Sequence, residues 1–225
     1  MPRRELLATA VVPDTSSELR LYRSGEFYAI TIMGRGDLMS TRAHGSERAL
    51  ATLACERMAA HAAPRILVGG LGIGFTLAAA LAATGPDAEV WVAELVPEVV
   101  AWNREHVGAA AGHPLEDPRC RVHVGDVAEL LRAPEGGFDA ILLDVDNGPE
   151  AMLRRENDWL YTPAGLATAR AALRPGGVLA IWSAGPDVPF VRRLRNAGYE
   201  VEEHVVRPHR SGKGARHYLW LARAA

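Results

Sequence analysis

Four glycines lie within six positions at the end of an apolar run, in the segment ILVGGLGIGF at positions 66–75. Gly70, Gly72 and Gly74 form a GxGxG pattern, in which residues without a side chain let the backbone turn tightly and approach a ligand closely. A dinucleotide-binding loop reads GxGxxG, and its third glycine would fall where this chain has Phe75. The spacing therefore favours an adenosyl ligand without a pyrophosphate, of the S-adenosylmethionine kind. A close-packed turn without any ligand is the alternative.

Acidic residues follow the next two apolar runs. Glu94 ends AEVWVAE, twenty residues after Gly74, where a carboxylate accepts hydrogen bonds from both hydroxyls of a ribose. Asp126 follows CRVHVG and is predicted to receive the exocyclic amine of adenine. The alternatives are a solvated cap for Glu94 and a helix N-cap for Asp126. The adjacent residues that are expected to line the same ligand site are Leu71, Leu95, Gly125 and Val127.

A third polar group follows the apolar run FDAILLD. Asp144 ends this run, and Asp146 and Asn147 come directly after it. Because ligands of open α/β sheets bind beyond the carboxyl ends of the strands, these three side chains are predicted to be catalytic. A turn rich in Asp, Asn, Gly and Pro would contain the same residues and is the alternative.

Three ring side chains are predicted to contact an acceptor substrate. Trp159 and Tyr161 lie in RRENDWLYT, after Asp144, Asp146 and Asn147. They belong to the segment 148–163, which has no clear helix or strand pattern, as is typical of a lid or acceptor loop. His44 approaches from the N-terminal part of the chain. The alternatives are a core position for the two aromatic rings and a surface or cap position for His44.

The elements that would position these residues alternate after Pro64. Apolar runs typical of strands alternate with helical segments, which predicts βαβ crossovers and a mostly parallel sheet. The last two runs, YEVEEHVV and ARHYLWLA, have no helix between them and are predicted to form an antiparallel hairpin. The predicted fold is α/β, with a Rossmann-like, doubly wound, seven-stranded sheet. The predicted helices cover residues 74–83, 97–107, 127–132, 163–173 and 188–197.

The chain before this alternation has a different pattern. Short strands are predicted within residues 18–40, around the turn Ser24-Gly25, and they would form a small β appendage. Ser46 is predicted to cap a helix over Glu47–His61. The sequence therefore predicts an N-terminal β-hairpin appendage at 1–45 and an α/β domain at 46–225.

Composition excludes several classes of protein. The chain has 225 residues, of which 48% are hydrophobic and 23% charged, and no apolar stretch approaches the ~20 residues of a membrane span. A net charge of −2 gives no electrostatic case for nucleic acid. Cys55 and Cys120 lack the spacing of a zinc site or a disulfide framework. The basic segment RPHRSGKGARH at 207–217 is interpreted as a solvated hairpin tip, with an anion contact as the alternative.

Five segments together resemble the spermidine synthase branch of the class I S-adenosylmethionine-binding proteins. They are ILVGGLGIG, WVAELVPEVV, LEDPRCRVHVGD, FDAILLDVDNGP and LRPGGVLAIWS, and the resemblance covers residues 18–223. It implies that the glycine loop holds the methionine side of the donor, Glu94 the ribose and Asp126 the adenine. It also implies that Asp144 orients and deprotonates an attacking amine.

The chain departs from the pattern of this family at three places. Leu71 stands where the family carries an Asp that binds the amine of decarboxylated S-adenosylmethionine. The loop DVDNGP is two residues shorter than the family's D-x-x-D-P-x-G-P, with Asn147 near the second acid. Gly45-Ser46-Glu47 stands in place of a Tyr-His-Glu triplet. The sequence thus lacks some of the acids that a polyamine would require.

These observations lead to a transferase that uses a sulfonium adenosyl donor and a small-molecule acceptor. Methyl transfer from S-adenosylmethionine is favoured over aminopropyl transfer from its decarboxylated form to a polyamine. A protein that binds the adenosyl ligand without turnover is a second hypothesis, and an NAD-dependent oxidoreductase is a third, which Phe75 disfavours. A cytoplasmic homodimer without a metal, a nucleic-acid partner or a membrane is expected.

Overall fold

The structure is a computed structural model, and it describes residues 3–34, 36–133, 136–144, 159–208 and 214–224. The strands in these ranges are β1 (Glu5–Val11), β2 (Glu18–Ser24), β3 (Phe27–Ile32), β4 (Gly36–Ser40), β5 (Arg65–Gly69), β6 (Glu89–Glu94), β7 (Cys120–Val124), β8 (Phe138–Leu143), β9 (Leu173–Ser183), β10 (Tyr199–Val206) and β11 (His217–Ala224). The α-helices are α1 (Gly45–Arg57), α2 (Phe75–Ala82), α3 (Pro97–Trp102), α4 (Gly108–Ala111), α5 (Val127–Arg132), α6 (Pro163–Ala172) and α7 (Val188–Asn196). A π-helical turn, Asn103–Val107, joins α3 to α4, and a 3-10 turn covers Pro114–Glu116.

Seven strands form the central sheet, in the order β10-β11-β9-β8-β5-β6-β7. The strands from β9 to β7 run parallel, whereas β11 is antiparallel to both of its neighbours. The reversal follows from the short connection between β10 and β11, because a parallel crossover needs about a dozen residues or more. The predicted α/β fold, with a mostly parallel seven-stranded sheet and an antiparallel C-terminal hairpin, is confirmed.

Helices cover both faces of this sheet. In β8, Ala140 and Leu142 belong to the hydrophobic cluster that includes residues of α1 and α2, while Ile141 and Leu143 belong to the cluster that includes residues of α6 and α7. Successive side chains of a strand point to opposite faces. The sequence of β8 is therefore continuously apolar rather than alternating, because a parallel strand is buried on both sides.

A second sheet contains the four N-terminal strands in the order β1-β2-β3-β4, with every neighbouring pair antiparallel. The sequence predicted this β appendage but not β1, whose residues are mostly exposed at the sheet edge and show little apolar periodicity. Leu21 and Ile30 lie in the same hydrophobic cluster as Ile66 and Val68 of the central sheet. The two sheets therefore share one core, and the division at residue 45 stays a prediction.

The first helix begins earlier than the sequence predicts. It starts at Gly45, and its N-cap position is His44, which makes no capping hydrogen bond through its side chain. The predicted N-cap, Ser46, instead lies inside the first turn and is buried. The helix ends at Arg57, before the predicted end at His61.

None of the helices in the described ranges has the length and apolar character needed to cross a bilayer. The two cysteines are free and half-buried, and burial raises the pKa of each thiol to about 11. The thiols are therefore protonated near neutral pH. The cytoplasmic location stays a prediction.

Candidate active site

A cleft lies at the carboxyl ends of the parallel strands, between the two sheets. The N-terminal sheet and the residue after β1 supply one apolar wall, which consists of Val12, Leu19, Ile30, Leu38 and Met39. The opposite wall consists of the loops that follow the strands of the central sheet. The β appendage is thus a wall of the cleft and not only an addition to the fold.

Residues that line the cleft come from the carboxyl ends of neighbouring strands. Five consecutive strands of the sheet, β9, β8, β5, β6 and β7, each bring one residue at or near their carboxyl end to the cleft. In the same order, these residues are Trp182, Asp144, Gly70, Glu94 and Asp126. Adjacent strands lie ~4.8 Å apart, so three spacings separate Asp144 from Asp126 by about 14 Å. The cleft is therefore long enough for an extended nucleoside with a short tail.

The glycine loop has the backbone conformation that the sequence predicts. Gly70, Gly72 and Gly74 all have positive φ, at 88°, 53° and 92°, where a side chain is disfavoured. The amide of Gly70 donates to the carbonyl oxygen of Ala93 at 2.9 Å, which ties the loop to β6.

Asn103 holds the glycine loop by a side-chain hydrogen bond. The sequence analysis did not identify Asn103. Its Nδ2 donates to the carbonyl oxygen of Gly72 at 2.6 Å and to that of Val99 at 3.0 Å. Asn103 begins the π-helical turn and is buried. A buried amide within an apolar helical segment was the signal available in the sequence, and π-helical turns are frequent at functional sites.

Replacing Gly72 by alanine is expected to lower the free energy of unfolding by about 1–2 kcal/mol, with a melting temperature lower by roughly 2–8 °C. Its φ of +53° is unfavourable for alanine, and a Cβ there would contact Met39 Sδ. Donor affinity should fall as well. Thermal unfolding and calorimetry measure the two effects. Gly85→Ala is the matched control, because its Cβ would meet no atom within 4 Å; an equal loss in both variants would contradict the argument.

Glu94 is buried at the end of β6 and is not a solvated cap. Its Oε2 accepts from the Leu71 amide at 3.0 Å, and its Oε1 accepts from the Val96 amide at 2.9 Å. Burial raises the pKa of Glu94, while these backbone donors oppose that rise. Each carboxylate oxygen has a second lone pair, so the geometry is compatible with ribose hydroxyls as further donors. The ribose contact stays a prediction.

Asp126 caps a helix and also lines the cleft. Its Oδ1 accepts from the Ala128 amide at 2.8 Å and so caps α5, while the residue also lines the cleft. Leu95, Gly125 and Val127 line the cleft beside it, and their contact with an adenosyl ligand stays a prediction. The adenine contact itself stays a prediction.

Asp144 lines the cleft directly after β8. The hydroxyl of Thr76, in the first turn of α2, donates to Asp144 Oδ2 at 2.5 Å. Burial raises the pKa of Asp144 to about 6, and the Thr76 hydrogen bond opposes this rise. The position and the pKa suit a group that accepts a proton near neutral pH.

Glu47 is a second carboxylate beside Asp144, and the sequence analysis did not identify it as a site residue. It lines the cleft from the first turn of α1. Burial and then the charge of Asp144 raise its pKa to about 7, while a hydrogen bond from Ser46 opposes the rise. The signal was present in the sequence, because Glu47 has helical spacing to the buried Leu50 and Ala54.

The charged side chains among the described residues that line the cleft are all acidic. Four carboxylates line it, namely Glu47, Glu94, Asp126 and Asp144, and no Lys, Arg or His is present among the described lining residues. Such a cleft attracts a cationic ligand and repels phosphate groups. The observation disfavours NAD and suits a sulfonium or an ammonium. Within the described residues, no group of His, Cys, Asp and Glu is arranged to hold a metal ion.

Sequence comparison finds similar enzymes in several organisms, although no protein-family model matches the chain. It is 31% identical over 150 residues to a polyamine aminopropyltransferase of Mycobacterium tuberculosis, over 63% of this chain and 28% of that protein. It is 31% identical over 159 residues to polyamine aminopropyltransferase 2 of Pseudomonas aeruginosa, over 65% of this chain and 43% of that protein. The match therefore spans less than half the length of these relatives.

Solved structures show the same fold over nearly the whole chain. The spermidine synthase of Thermotoga maritima aligns with a TM-score of 0.74 at 16% identity, covering 98% of this chain and 72% of that one. A spermidine synthase in complex with the transition-state analogue AdoDATO aligns with a TM-score of 0.78 at 17% identity, covering 98% and 74%. The resemblance to the spermidine synthase branch is confirmed.

The similarity to these enzymes bears on the choice between methyl transfer and aminopropyl transfer. The sequence favoured methyl transfer because Leu71 replaces an acid of the glycine loop, but the named relatives are aminopropyltransferases. Methyl transfer is therefore not supported, and the aminopropyl alternative fits better. The argument from Leu71 overlooked that Glu47 brings a carboxylate to the same cleft from another element.

The packing of Trp159 and Tyr161 favours core positions over the predicted acceptor contacts. Tyr161 is only 2% exposed and packs edge-on against Phe190 at 5.5 Å between ring centroids, in the cluster beneath α6 and α7. Trp159 packs against the same cluster, with the Arg132 guanidinium 4.4 Å from its ring centroid. Neither is among the residues that line the cleft. The core position was the alternative, and an acceptor contact of either ring stays a prediction.

His44 lies beside the cleft rather than in its lining. Its ring stacks on Phe75 at 4.0 Å between centroids, and Phe75 does line the cleft. A contact between His44 and an acceptor stays a prediction. Asp146, Asn147 and most of the segment 148–163 lie outside the described residues, as does the tip of the basic segment 207–217.

Proposed function

We propose that this protein transfers the aminopropyl group of decarboxylated S-adenosylmethionine to an amine of the polyamine class. The observation that carries the proposal is the cleft with four carboxylates and no basic residue among its described lining residues. Donor and acceptor of this reaction are both cations, because one carries a sulfonium and an ammonium and the other carries ammonium groups. The names of the aminopropyltransferase relatives support the same reaction.

The same charge distinguishes the two donors. With the nucleoside over β5, β6 and β7, the tail of the donor extends toward Asp144 and Glu47. S-adenosylmethionine would bring a carboxylate to these two acids, whereas its decarboxylated form brings only an ammonium. Like charges in a partly buried site repel strongly, and opposite charges attract.

The reaction is an in-line displacement at a carbon that is already activated by the positive sulfur. Positioning and a proton acceptor for the amine are then the main requirements, because a protonated amine has no lone pair for attack. Asp144 lines the cleft directly after β8, and in this proposal it orients the amine. The apolar wall from the N-terminal sheet excludes water from the reacting groups.

The proposal is tested by incubating the protein with decarboxylated S-adenosylmethionine and either putrescine or spermidine. Mass spectrometry should detect the aminopropylated amine and an equal amount of methylthioadenosine. Donor binding without any transfer to either amine would contradict the proposal and would favour the hypothesis of an adenosyl-binding protein without turnover.

Decarboxylated S-adenosylmethionine is expected to bind at least tenfold tighter than S-adenosylmethionine, a difference of about 1.4 kcal/mol. The reason is the repulsion between the donor carboxylate and the pair Glu47 and Asp144. Isothermal titration calorimetry with each donor measures it. The double variant Glu47→Gln with Asp144→Asn should reduce the preference, and tighter binding of S-adenosylmethionine by the parent protein would refute the charge argument.

We also propose that the protein forms a homodimer through its N-terminal sheet. Several large apolar side chains are exposed there, namely Leu6, Val11, Phe27 and Met33. Exposed apolar residues that gather on one element are a common mark of an interface. Light scattering coupled to gel filtration should give twice the mass of the chain, and a monomer at high concentration would refute this proposal.

A further inference from the structure

A chain of hydrogen bonds leads from the cleft to the C-terminal hairpin. The Ser46 hydroxyl lies 2.6 Å from Glu47 Oε2, and His217 Nδ1 lies 2.8 Å from the same hydroxyl oxygen. Ser46 is buried between the two, and His217 is half-buried at the start of β11. Three side chains from α1 and β11 thus connect the carboxylate in the cleft to the outer strands of the sheet.

The surrounding contacts hold this chain in place. The Gly45 amide donates to the carbonyl oxygen of Pro208 at 2.8 Å, which joins the start of α1 to the segment directly after β10, the strand that pairs with β11. Trp182, which lines the cleft, packs edge-on against the His217 ring at 4.7 Å between centroids. The imidazole therefore has a defined position relative to Ser46.

The geometry accommodates both directions of hydrogen bonding. With Glu47 ionised, the Ser46 hydroxyl donates to Glu47 and His217 Nδ1 donates to Ser46. With Glu47 protonated, its proton is donated to Ser46, and Ser46 donates to an unprotonated Nδ1 of His217. A hydroxyl is both donor and acceptor, and a neutral imidazole exists as two tautomers, so the three groups have the two arrangements that proton transfer requires.

The charged groups around this chain are few. Asp144, at the end of β8, is the charge that acts on Glu47, and α2 contributes Thr76, which is neutral. Burial lowers the pKa of His217 and keeps its ring neutral near pH 7. Of the other acidic side chains on the strands packed against α1, Asp139 pairs with Arg174, Glu202 with Arg57 and His204, and Glu200 with Arg223. Glu203 accepts a hydrogen bond from Trp220 Nε1 instead.

We propose that Glu47, Ser46 and His217 form the route by which the proton of the acceptor ammonium leaves the cleft. The inference rests on the proposed amine-transfer function and goes beyond it, because it separates proton removal from the orienting role of Asp144. Asp144 accepts the Thr76 hydroxyl, and no bond to a relay group is present among its described contacts. Glu47 has such a relay through Ser46.

Each step of the transfer balances. The acceptor ammonium gives one proton to the Glu47 carboxylate, and the freed lone pair forms a bond to the carbon attached to sulfur. The carbon–sulfur bond breaks, its electron pair stays on the sulfur as a neutral thioether, and the new secondary amine carries the positive charge. The Glu47 proton then passes to Ser46 Oγ as the Ser46 proton passes to His217 Nδ1, and the imidazolium releases its Nε2 proton to water.

Two variants interrupt the route at different points. Ser46→Ala removes the hydroxyl, and His217→Asn keeps a donor near the position of Nδ1 but does not titrate. Both should lower kcat at pH 7 by about 100-fold, the low end for a positioned proton-transfer group. The KM of the donor should change less than threefold. The deficit should shrink at higher pH, where free amine is more abundant, and added imidazole should partly restore His217→Asn.

A matched control lies on the neighbouring strand. His204→Asn makes the same substitution at a half-buried histidine that contacts Glu202 instead of the cleft, and it should keep the parent kcat. If His217→Asn also keeps the parent kcat while Ser46→Ala loses activity, the contact only positions Ser46 and the proton route is refuted.

A readout independent of turnover separates this inference from the proposed function. Nitrogen-15 NMR reports the tautomer and the titration of His217 directly. Glu47→Gln is expected to change both, whereas Glu129→Gln, which contacts His123, should change neither for His217. If Glu47→Gln leaves the His217 signals unchanged, the proton route is refuted whether or not the parent transfers aminopropyl groups. If Glu47→Gln changes the His217 signals but the parent protein shows no turnover, only the proposed function is refuted.

Discussion

Replacing Asp144 by asparagine is expected to lower kcat for aminopropyl transfer by at least 100-fold, because an attacking amine that is misplaced by about 1 Å reacts about 100-fold more slowly. The Kd of decarboxylated S-adenosylmethionine should change less than about tenfold, because the proposed nucleoside contacts lie at the ends of other strands. Asparagine keeps the shape of the side chain and an oxygen that accepts the Thr76 hydroxyl. Steady-state kinetics and calorimetry on the same preparation measure the two quantities.

The stability of this variant should depend on pH in a defined direction. Burial raises the pKa of Asp144 from 3.8 to about 6, so the native protein retains a proton that the unfolded chain has already lost. Ionisation of Asp144 therefore costs stability as the pH rises from about 4 to about 6, and the cost is complete above that range. Asp144→Asn lacks this cost, and its melting temperature relative to the parent should increase across the same interval.

Asp139→Asn is the matched control on the same strand. Asp139 lies at the opposite end of β8, where its carboxylate accepts from the Arg65 amide and from the Arg174 guanidinium, each at 2.7 Å. This substitution should lower stability while the kcat of the folded enzyme is kept. Full activity of Asp144→Asn, or an equal loss of activity in Asp139→Asn, would remove Asp144 from the mechanism.

Replacing Glu94 by glutamine is expected to weaken donor binding about 100-fold, which corresponds to about 3 kcal/mol. The amide group of glutamine would place a donor where the backbone of Leu71 or Val96 already donates. Two charge-assisted hydrogen bonds to the ribose would also be weakened, and each contributes about 1.5–3 kcal/mol. Calorimetric titration with decarboxylated S-adenosylmethionine measures the loss of affinity.

Glu89→Gln provides the comparison at the other end of β6. Glu89 pairs with Arg65 at 2.8 Å and lies near Arg121, and it is not among the residues that line the cleft. Its substitution should leave the donor Kd within about twofold of the parent. Unchanged donor affinity in Glu94→Gln would exclude the ribose interpretation, and the cleft would then bind its ligand in another orientation.

The architecture was predictable because its signals are local. Strand and helix differ in the period of their apolar residues, and the segments after Pro64 follow these periods closely enough that α5 was predicted with the bounds that the structure shows. The reversed strand followed from the short connection before β11. The edge strand β1 was not predicted, because its side chains are mostly exposed and show no clear period.

The donor side of the site was predictable for a related reason. Parallel strands bring their carboxyl ends to one edge, so Gly70, Glu94, Asp126 and Asp144 had to lie together once the strands were recognised. The aromatic residues were predicted less well. Tyr161 follows the predicted catalytic loop in sequence, but its ring packs edge-on against Phe190.

The amino-acid sequence by itself determined the α/β fold, the glycine loop and the acids at the strand ends, because each depends on residues close together in the chain. Only the tertiary structure showed that the N-terminal sheet forms a wall of the cleft and that Glu47 faces Asp144. It also showed the contact between Ser46 and His217, which lie 171 positions apart in the sequence. Contacts of this kind depend on how separate elements pack and on the direction of each side chain, and neither is encoded in local periodicity.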